Sequence, residues 1–240
     1  MRGRKGKHNR NYGNKILGKE DGSQGFNTPK KDRCDHCEEY KSNQLINLVS
    51  EDLKMKYELH IAGKSNTKVE RDNDRSSDKA DLCFVMGNVI TCPRANISNL
   101  LYKRKLNVFN LTGHFSLNKC AYNAVWSEHI AGKGANEIAS ALLKILEKVL
   151  EDFPTLETVT LWSNSCIHQN PNSIIVIALQ HFMRSDTSYS LKSVEHKFSE
   201  PDHSSIQEVD CVHSRIEKTL NLSEMFFPVR FFFLNSDKSS

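Results

Sequence analysis

Residues 157–172, with the sequence ETVTLWSNSCIHQNPN, decide the fold of this chain. The first half alternates the apolar residues Val159 and Leu161 with threonines, which is the period-two pattern of a β-strand. The pattern stops at a short polar segment, and an apolar run then predicts a helix over residues 173–183. α/β proteins place functional groups where such a strand ends before a helix. The strand-end side chain here is Asn164, an amide where many enzymes would carry a carboxylate.

The patterns on either side of this stretch extend the same arrangement. Strands are predicted over 82–86, 106–111, 122–126 and 191–198, and helices over 135–152 and 205–220. The nearly continuous apolar run at 82–86 is typical of a central strand that is buried on both faces, and Trp162 is predicted to pack in the core. The order is therefore β-β-β-α-β-α-β-α. We predict an α/β protein with a ribonuclease H-like core, because three strands followed by alternating helices and strands is the order of that fold.

The composition divides the chain into four predicted segments: a disordered basic tail (1–33), a Cys-x-x-Cys half-site with a helical segment and charged linker (34–80), the ribonuclease H-like domain (81–225) and an irregular C terminus (226–240). The tail carries ten Lys and Arg residues against three acids, and it has almost no branched apolar side chains. Such a tail suits a nucleic-acid or nuclear-import arm, so DNA is a candidate partner and nuclear localisation is expected. A solvated tail without a partner is the simpler alternative.

Cysteine usage and hydropathy indicate the compartment. The chain has seven cysteines, an odd number, and no apolar leader follows Met1, so a reduced intracellular protein is expected. No apolar run reaches the roughly 18 residues that a membrane-spanning helix needs. We therefore expect no membrane partner.

Cys34 and Cys37, in the sequence CDHC, are the first residues with recognisable chemistry. Two thiolates at this spacing can converge on one zinc ion. A tetrahedral site needs two more ligands, and no second cysteine pair follows at the spacing of a zinc finger. His8, His36 and His60 are the nearby candidates. The pattern predicts a zinc half-site, and two unligated thiols at the start of a helix are the alternative.

Several further segments carry a family resemblance. They are DRCDHCEEY (32–40), NVITCPRAN (88–96), YKRKLNVFNLT (102–112), NEIAS (136–140) and HSSIQEVD (203–210). Together they resemble the transposon-derived proteins with an integrase-like core that occur in many animal genomes. The resemblance covers residues 32–228.

The resemblance also implies where catalytic acids belong. DDE-type transposases and retroviral integrases hold two Mg²⁺ or Mn²⁺ ions with acids on the first strand, at the end of the fourth strand and on the last helix. The family sequences CFDMQ and WSDSC correspond here to CFVMG and WSNSC, so the first two acids are replaced by Val85 and Asn164, and Asp210 survives. Asp81 lies roughly 13 Å from Val85 along the strand, too far to replace it. The two replacements therefore imply that the ancestral metal site is lost, and we predict no efficient metal-dependent strand transfer or hydrolysis.

Lys103, Arg104 and Lys105 precede a predicted strand and are candidate contacts to DNA phosphates. An exposed sheet edge kept soluble by charge is an equal alternative. His203 and His213 are predicted to be surface or capping residues.

The function predicted from the sequence is that of a catalytically inactive, weakly DNA-binding domain. Two alternative functions remain. The first is a domesticated scaffold for protein interactions, because a fold alone does not fix a function. The second is a metal-dependent nuclease that uses displaced acids, namely Glu200, Asp202 or Glu208 with Asp210.

Overall fold

The predicted strands and helices assemble into a mixed sheet with helices on both faces. The computed structural model describes residues 34–76, 79–95, 104–165, 173–186, 190–201, 203, 207–222 and 225–226. The predicted tail over 1–33, Lys103, Asp202 and residues 227–240 lie outside these ranges.

The bounds of the elements are as follows. The helices are α1 (Asp35–Leu45), α2 (Glu51–Ser76), α3 (Ala135–Asp152), α4 (Ser173–Met183) and α5 (Gln207–Leu222). The strands are β1 (Asp81–Met86), β2 (Ile90–Cys92), β3 (Arg94–Ala95), β4 (Leu106–Phe115), β5 (Cys120–Ser127), β6 (Thr158–Ser163), β7 (Ser193–Phe198) and β8 (Met225–Phe226). In the described ranges, six strands form one mixed sheet, and β3 pairs separately with β8. The predicted α/β class is confirmed.

Strand β1 occupies the middle of the sheet. It runs antiparallel to β4 on one side and parallel to β6 on the other. Beyond β4 lies the antiparallel β5, and beyond β6 lies the parallel β7. Strand β2 follows β1 in the chain and pairs with the same side of β4. Between β1 and β2, the N–H of Gly87 donates to the carbonyl of Asn110 at 2.8 Å. The first three long strands thus form an antiparallel meander, and the two later strands add to it in parallel.

One face of the sheet is covered by α3 and α4. Helix α3 carries apolar residues at spacings of three and four, which places them on a single face. That face and the apolar side chains of β1, β4 and β6 form the main core, in which the largest fully buried members are Phe84, Phe115, Leu82, Leu111, Ile138, Leu142, Ile145, Leu146, Leu150 and Leu161. The apolar periodicity that predicted α3 therefore also identifies its buried side.

The opposite face packs against α5 and the C-terminal part of α2. Cys83 and Trp162 are fully buried there against Val209 of α5, so the prediction that Trp162 packs in the core is confirmed. The sequence predicted a charged linker at the end of residues 34–80, but this part of the chain is helical and its charged side chains Arg71 and Asp74 are buried. Helix α2 continues to Ser76, and its side chain Arg71 is only 1% exposed.

Buried ionic groups explain why this charged segment packs inward. Arg71 donates from Nη1 to Oδ2 of Asp81 at 2.7 Å and from Nη2 to Oε1 of Glu208 at 3.1 Å. Asp74 accepts from Nε1 of Trp162 at 2.9 Å and from Nζ of Lys197 at 3.0 Å. Burial raises the pKa of Asp74, but these two hydrogen bonds outweigh burial and hold that pKa below its ordinary value. Each charge that leaves water here has a partner of opposite sign.

Hydropathy of the helices bears on membrane association. No helix in the described ranges is long and apolar enough to cross a bilayer.

His196, on β7, is a half-buried titratable group with a predictable effect on stability. Its Nε2 lies 2.9 Å from Oγ of Ser163, and its ring packs against the rings of Phe84 and Phe198. Burial lowers its pKa from 6.5 to about 4. The unfolded chain therefore takes up a proton at a higher pH than the folded protein does.

The free energy of unfolding should fall as the pH falls from about 6.5 to about 4, by on the order of 3 kcal/mol from His196 alone. Urea denaturation at several pH values measures this dependence. The variant His196→Gln should show a shallower loss, whereas His181→Gln, at an exposed position on α4, should follow the wild type. An identical pH profile for the His196→Gln variant and the wild type would contradict this assignment.

Candidate metal centre

Helices α1 and α2 form an antiparallel pair that sets up the site. The chain leaves α1 through Asn47, which adopts the left-handed conformation with φ 53°, and the N–H of Leu48 donates to the carbonyl of Asn43 at 2.9 Å. The rings of Tyr40 and Tyr57 stack with centroids 3.9 Å apart. This turn brings the beginning of α1 against the middle of α2.

Three of the candidate ligands come from this helix pair. Cys34 immediately precedes α1, Cys37 lies in its first turn, and both side chains are buried. His60 lies on the facing side of α2 and is buried as well. The Sγ atom of Cys34 is 3.1 Å from Nε2 of His60.

The fourth candidate ligand comes from the far end of the sheet. After β7, the N–H of Ser199 donates to the carbonyl of Ser163 at 2.9 Å, and the chain then turns with Pro201 as its second residue. The N–H of His203 donates to the carbonyl of Glu200 at 3.0 Å and closes the turn. This turn carries the His203 ring to the two cysteines and His60.

The four side chains converge on one point. The Nε2 atom of His203 lies 3.6 Å from Sγ of Cys37 and 3.1 Å from Nε2 of His60. All four ligand atoms, including Sγ of Cys34, lie within 4.8 Å of one another. Zn–S bonds of about 2.3 Å and Zn–N bonds of about 2.0 Å at tetrahedral angles imply ligand separations of about 3.3–3.8 Å. The cluster can therefore hold a metal ion such as zinc.

The chemistry of the donors agrees with this geometry. Burial raises the pKa of Cys37, and the adjacent thiol of Cys34 raises it further. Two neighbouring thiolates are unfavourable in the protein alone, and a dication would supply the positive charge that stabilises them. Two buried thiols facing two imidazole nitrogens form a Cys₂His₂ donor set, which is typical of closed structural zinc sites.

The structure separates the histidine candidates suggested by the sequence. His60 lies in the cluster, and His8 lies outside the described residues. His36 is exposed and is not a member, although its ring centroid is 5.5 Å from that of His60. The prediction that His203 is a surface or capping residue is wrong. It lies 166 residues after Cys37, so no local spacing could reveal it, and the turn sequence Glu-Pro-Asp-His is the only signal.

Two of the three positions that the family resemblance assigns to catalytic acids, Val85 and Asn164, lie near the C-terminal ends of two adjacent strands of the sheet. Phe84 pairs with Ser163 in parallel register, so Val85 and Asn164 follow on neighbouring strands. Val85 packs against the buried group that contains Val209 of α5. Asp210, the next residue of α5, is exposed.

Two of the acids proposed for the alternative nuclease site, Glu200 and Glu208, contact other side chains. Glu200 lies 3.2 Å from Nδ1 of His60. Glu208 accepts from Nε of Arg75 at 2.7 Å and also from Arg71. Burial raises the pKa of Glu208, but its bonds to the two arginines outweigh burial and lower it. Within the described ranges, the Cys₂His₂ cluster is the one group of three or more His, Cys, Asp or Glu side chains that could hold a metal ion.

The remaining residues singled out in the sequence are the basic residues before β4 and His213. Arg104 is exposed and Lys105 is half-buried, directly before β4. The prediction that His213 is a surface or capping residue is wrong: it is half-buried on α5, with Nε2 2.9 Å from Oγ1 of Thr112. Burial lowers the pKa of His213, which favours the neutral imidazole.

Comparison with known proteins adds no identification. No protein-family model, no curated protein and no solved structure matches the chain.

Proposed function

We propose that this chain is a transposase- or integrase-derived domain of ribonuclease H-like topology that has lost metal-dependent catalysis and retains DNA binding. One observation carries the proposal: Val85 and Asn164 follow paired residues of β1 and β6, at the two positions where this topology would place acids. Support for the topology comes from the antiparallel meander of β1, β4 and β5, to which β6 and β7 add in parallel.

The loss of catalysis follows from the ligands that remain. Two Mg²⁺ or Mn²⁺ ions that activate a phosphodiester need anionic oxygen ligands. Val85 offers no donor atom, and Asn164 offers at most a neutral carbonyl oxygen. Asp210 alone cannot balance two dications. A nuclease built from displaced acids has weaker support, because Glu200 is beside His60 and Glu208 is paired with arginines.

Restoring both acids tests the mapping of these positions. Zinc-loaded wild-type protein should show no Mn²⁺ binding that depends on Asp210 in calorimetric titration. The double variant Val85→Asp, Asn164→Asp should gain such binding because it recovers two anionic ligands. The same double variant with Asp210→Ala is the matched control and should lose the gain. A double variant that binds Mn²⁺ no better than the wild type would refute the mapping.

DNA binding is the activity that this domain can retain without catalytic acids. Arg104 is exposed at the beginning of β4, and residues 1–33 supply ten further basic residues against three acids. Such residues attract the phosphate backbone without reading its sequence. Nuclear localisation belongs to the same proposal, because DNA is found there and the basic tail suits an import signal.

The salt dependence of DNA binding tests this activity. Affinity for duplex DNA should fall steeply as the salt concentration rises, because each phosphate contact releases counterions. The double variant Arg104→Gln, Lys105→Gln should reduce the slope of log K against log salt by about 2. Lys144→Gln with Lys148→Gln, at an exposed and a half-buried position of α3, removes the same charge and should leave the slope closer to wild type. Binding that is insensitive to salt would contradict the proposal.

A scaffold for protein interactions is the rival function, and one observation favours it. Leu45, Ile46 and Leu48, at the turn between α1 and α2, are 85%, 62% and 67% exposed. Adjacent exposed apolar side chains of this kind often mark contact surfaces. If the protein fails to bind DNA, this turn is the surface at which a protein partner should be sought.

The metal centre completes the proposal. The Cys₂His₂ cluster would bind one Zn²⁺ in a structural role, because all four tetrahedral positions are filled by side chains and none is left for a substrate. Such an ion would join α1 and α2 to the turn after β7.

Metal content after purification tests this role. The wild type should hold one zinc per chain, and removal by a chelator should lower its melting temperature because bound metal stabilises the folded state. His203→Ala should lose most of the zinc. His36→Ala is the matched control and should retain it, since His36 lies near the cluster without belonging to it. Equal zinc content in the two variants would contradict the ligand assignment.

A further inference from the structure

Glu200 lies directly behind the metal centre. One carboxylate oxygen, Oε1, is 3.2 Å from Nδ1 of His60, on the opposite side of the ring from the cluster. The His60 side chain is 8% exposed and that of Glu200 is 25% exposed, so the contact is partly shielded from water. Glu200 also belongs to the turn that supplies His203, so a single turn contributes both a ligand and this carboxylate.

The contact determines which nitrogen of His60 is available. A carboxylate accepts a hydrogen bond from Nδ1–H, and the neutral ring then carries its lone pair on Nε2. Nε2 is the atom that faces Sγ of Cys34 and Nε2 of His203, each at 3.1 Å. A carboxylate behind a ligating histidine fixes both its tautomer and its orientation. Glu200 thus prepares His60 to bind a metal ion through the atom that points into the cluster.

Gly63 shows that space is reserved for this carboxylate. It lies three residues after His60 and therefore on the same side of α2. A Cβ atom at Gly63 would lie 2.6 Å from Oε2, 2.9 Å from Cδ and 3.2 Å from Oε1 of Glu200. A glycine inside a helix costs about 1 kcal/mol relative to alanine. A side chain at Gly63 would require the Glu200 carboxylate to move from its position beside His60.

We propose that Glu200 is a positioning residue of the metal centre, which orients His60 through Nδ1, and that Gly63 is required because the Glu200 carboxylate occupies the space of a side chain. The proposal rests on the zinc site described above. It adds two residues from outside the ligand set, and neither has a motif that would mark it in the sequence.

The test compares zinc affinity in full-length variants by competition with a chelator. Glu200→Gln and Gly63→Ala should each bind Zn²⁺ about tenfold more weakly than the wild type. Gly63→Ala is the sharper variant, because alanine favours the helix while its methyl group displaces the carboxylate. Ser65→Ala, at an exposed position of α2, gives a gain in helix propensity without touching Glu200 and should keep wild-type affinity.

A spectroscopic signal separates positioning from a general effect on stability. In the zinc-loaded wild type, the Nδ1 proton of His60 should give a downfield resonance that exchanges slowly with water, because it is hydrogen-bonded to Glu200. The resonance should weaken or disappear in Glu200→Gln and Gly63→Ala but persist in Ser65→Ala. If the wild type binds no zinc, the metal site itself is wrong. If the wild type binds zinc and both variants match it in affinity and resonance, the role of Glu200 and Gly63 is overturned.

Discussion

The buried guanidinium of Arg71 is the group on which the second face of the sheet depends. It reaches from α2 to Asp81 and Cys83 on β1 and to Glu208 on α5, and its carbon lies 5.6 Å from the ring centroid of Trp162. Removing one member of such a set leaves the others charged and away from water, which is far more costly than losing an exposed ion pair. The position of α2 therefore determines how β1 and α5 are held.

Helix α2 is attached at two separate levels. His60 lies in the Cys₂His₂ cluster, and Arg71 and Asp74 form the buried ion pairs and hydrogen bonds over the sheet. His60 and Arg71 are eleven positions apart in the helix, a distance of about 16 Å along the axis. Contacts at both positions determine the orientation of α2, whereas contacts at one position alone would allow the helix to rotate about that point. Helix α5 shares the second attachment through Glu208, so the N-terminal helices and the last helix of the core are held together.

The features predicted correctly from the sequence are those that depend on residues close together in the chain. Helix α3 spans the 18 residues from Ala135 to Asp152 that its apolar periodicity indicated, and β6 follows the alternation around Val159 and Leu161. The failures concern partners that are distant in the chain. Arg71 looks like a solvent-exposed charge because nothing near it in sequence shows that Asp81 and Glu208 will surround it. His203 looks like a surface residue because the cysteines that it meets are more than 160 residues away.

The long separation of the ligands has a consequence for how the protein is made. Cys34, Cys37 and His60 lie on two consecutive helices and can meet soon after α2 leaves the ribosome, whereas His203 follows His60 by 143 residues. At the usual rates of elongation this interval lasts roughly 7–30 s. A newly made chain thus exposes two thiols and one imidazole to the cell before the fourth candidate ligand exists. Any ion bound at that stage would have three ligands and would be held loosely. The fourth ligand, His203, could bind only after the last strand of the main sheet has been synthesised.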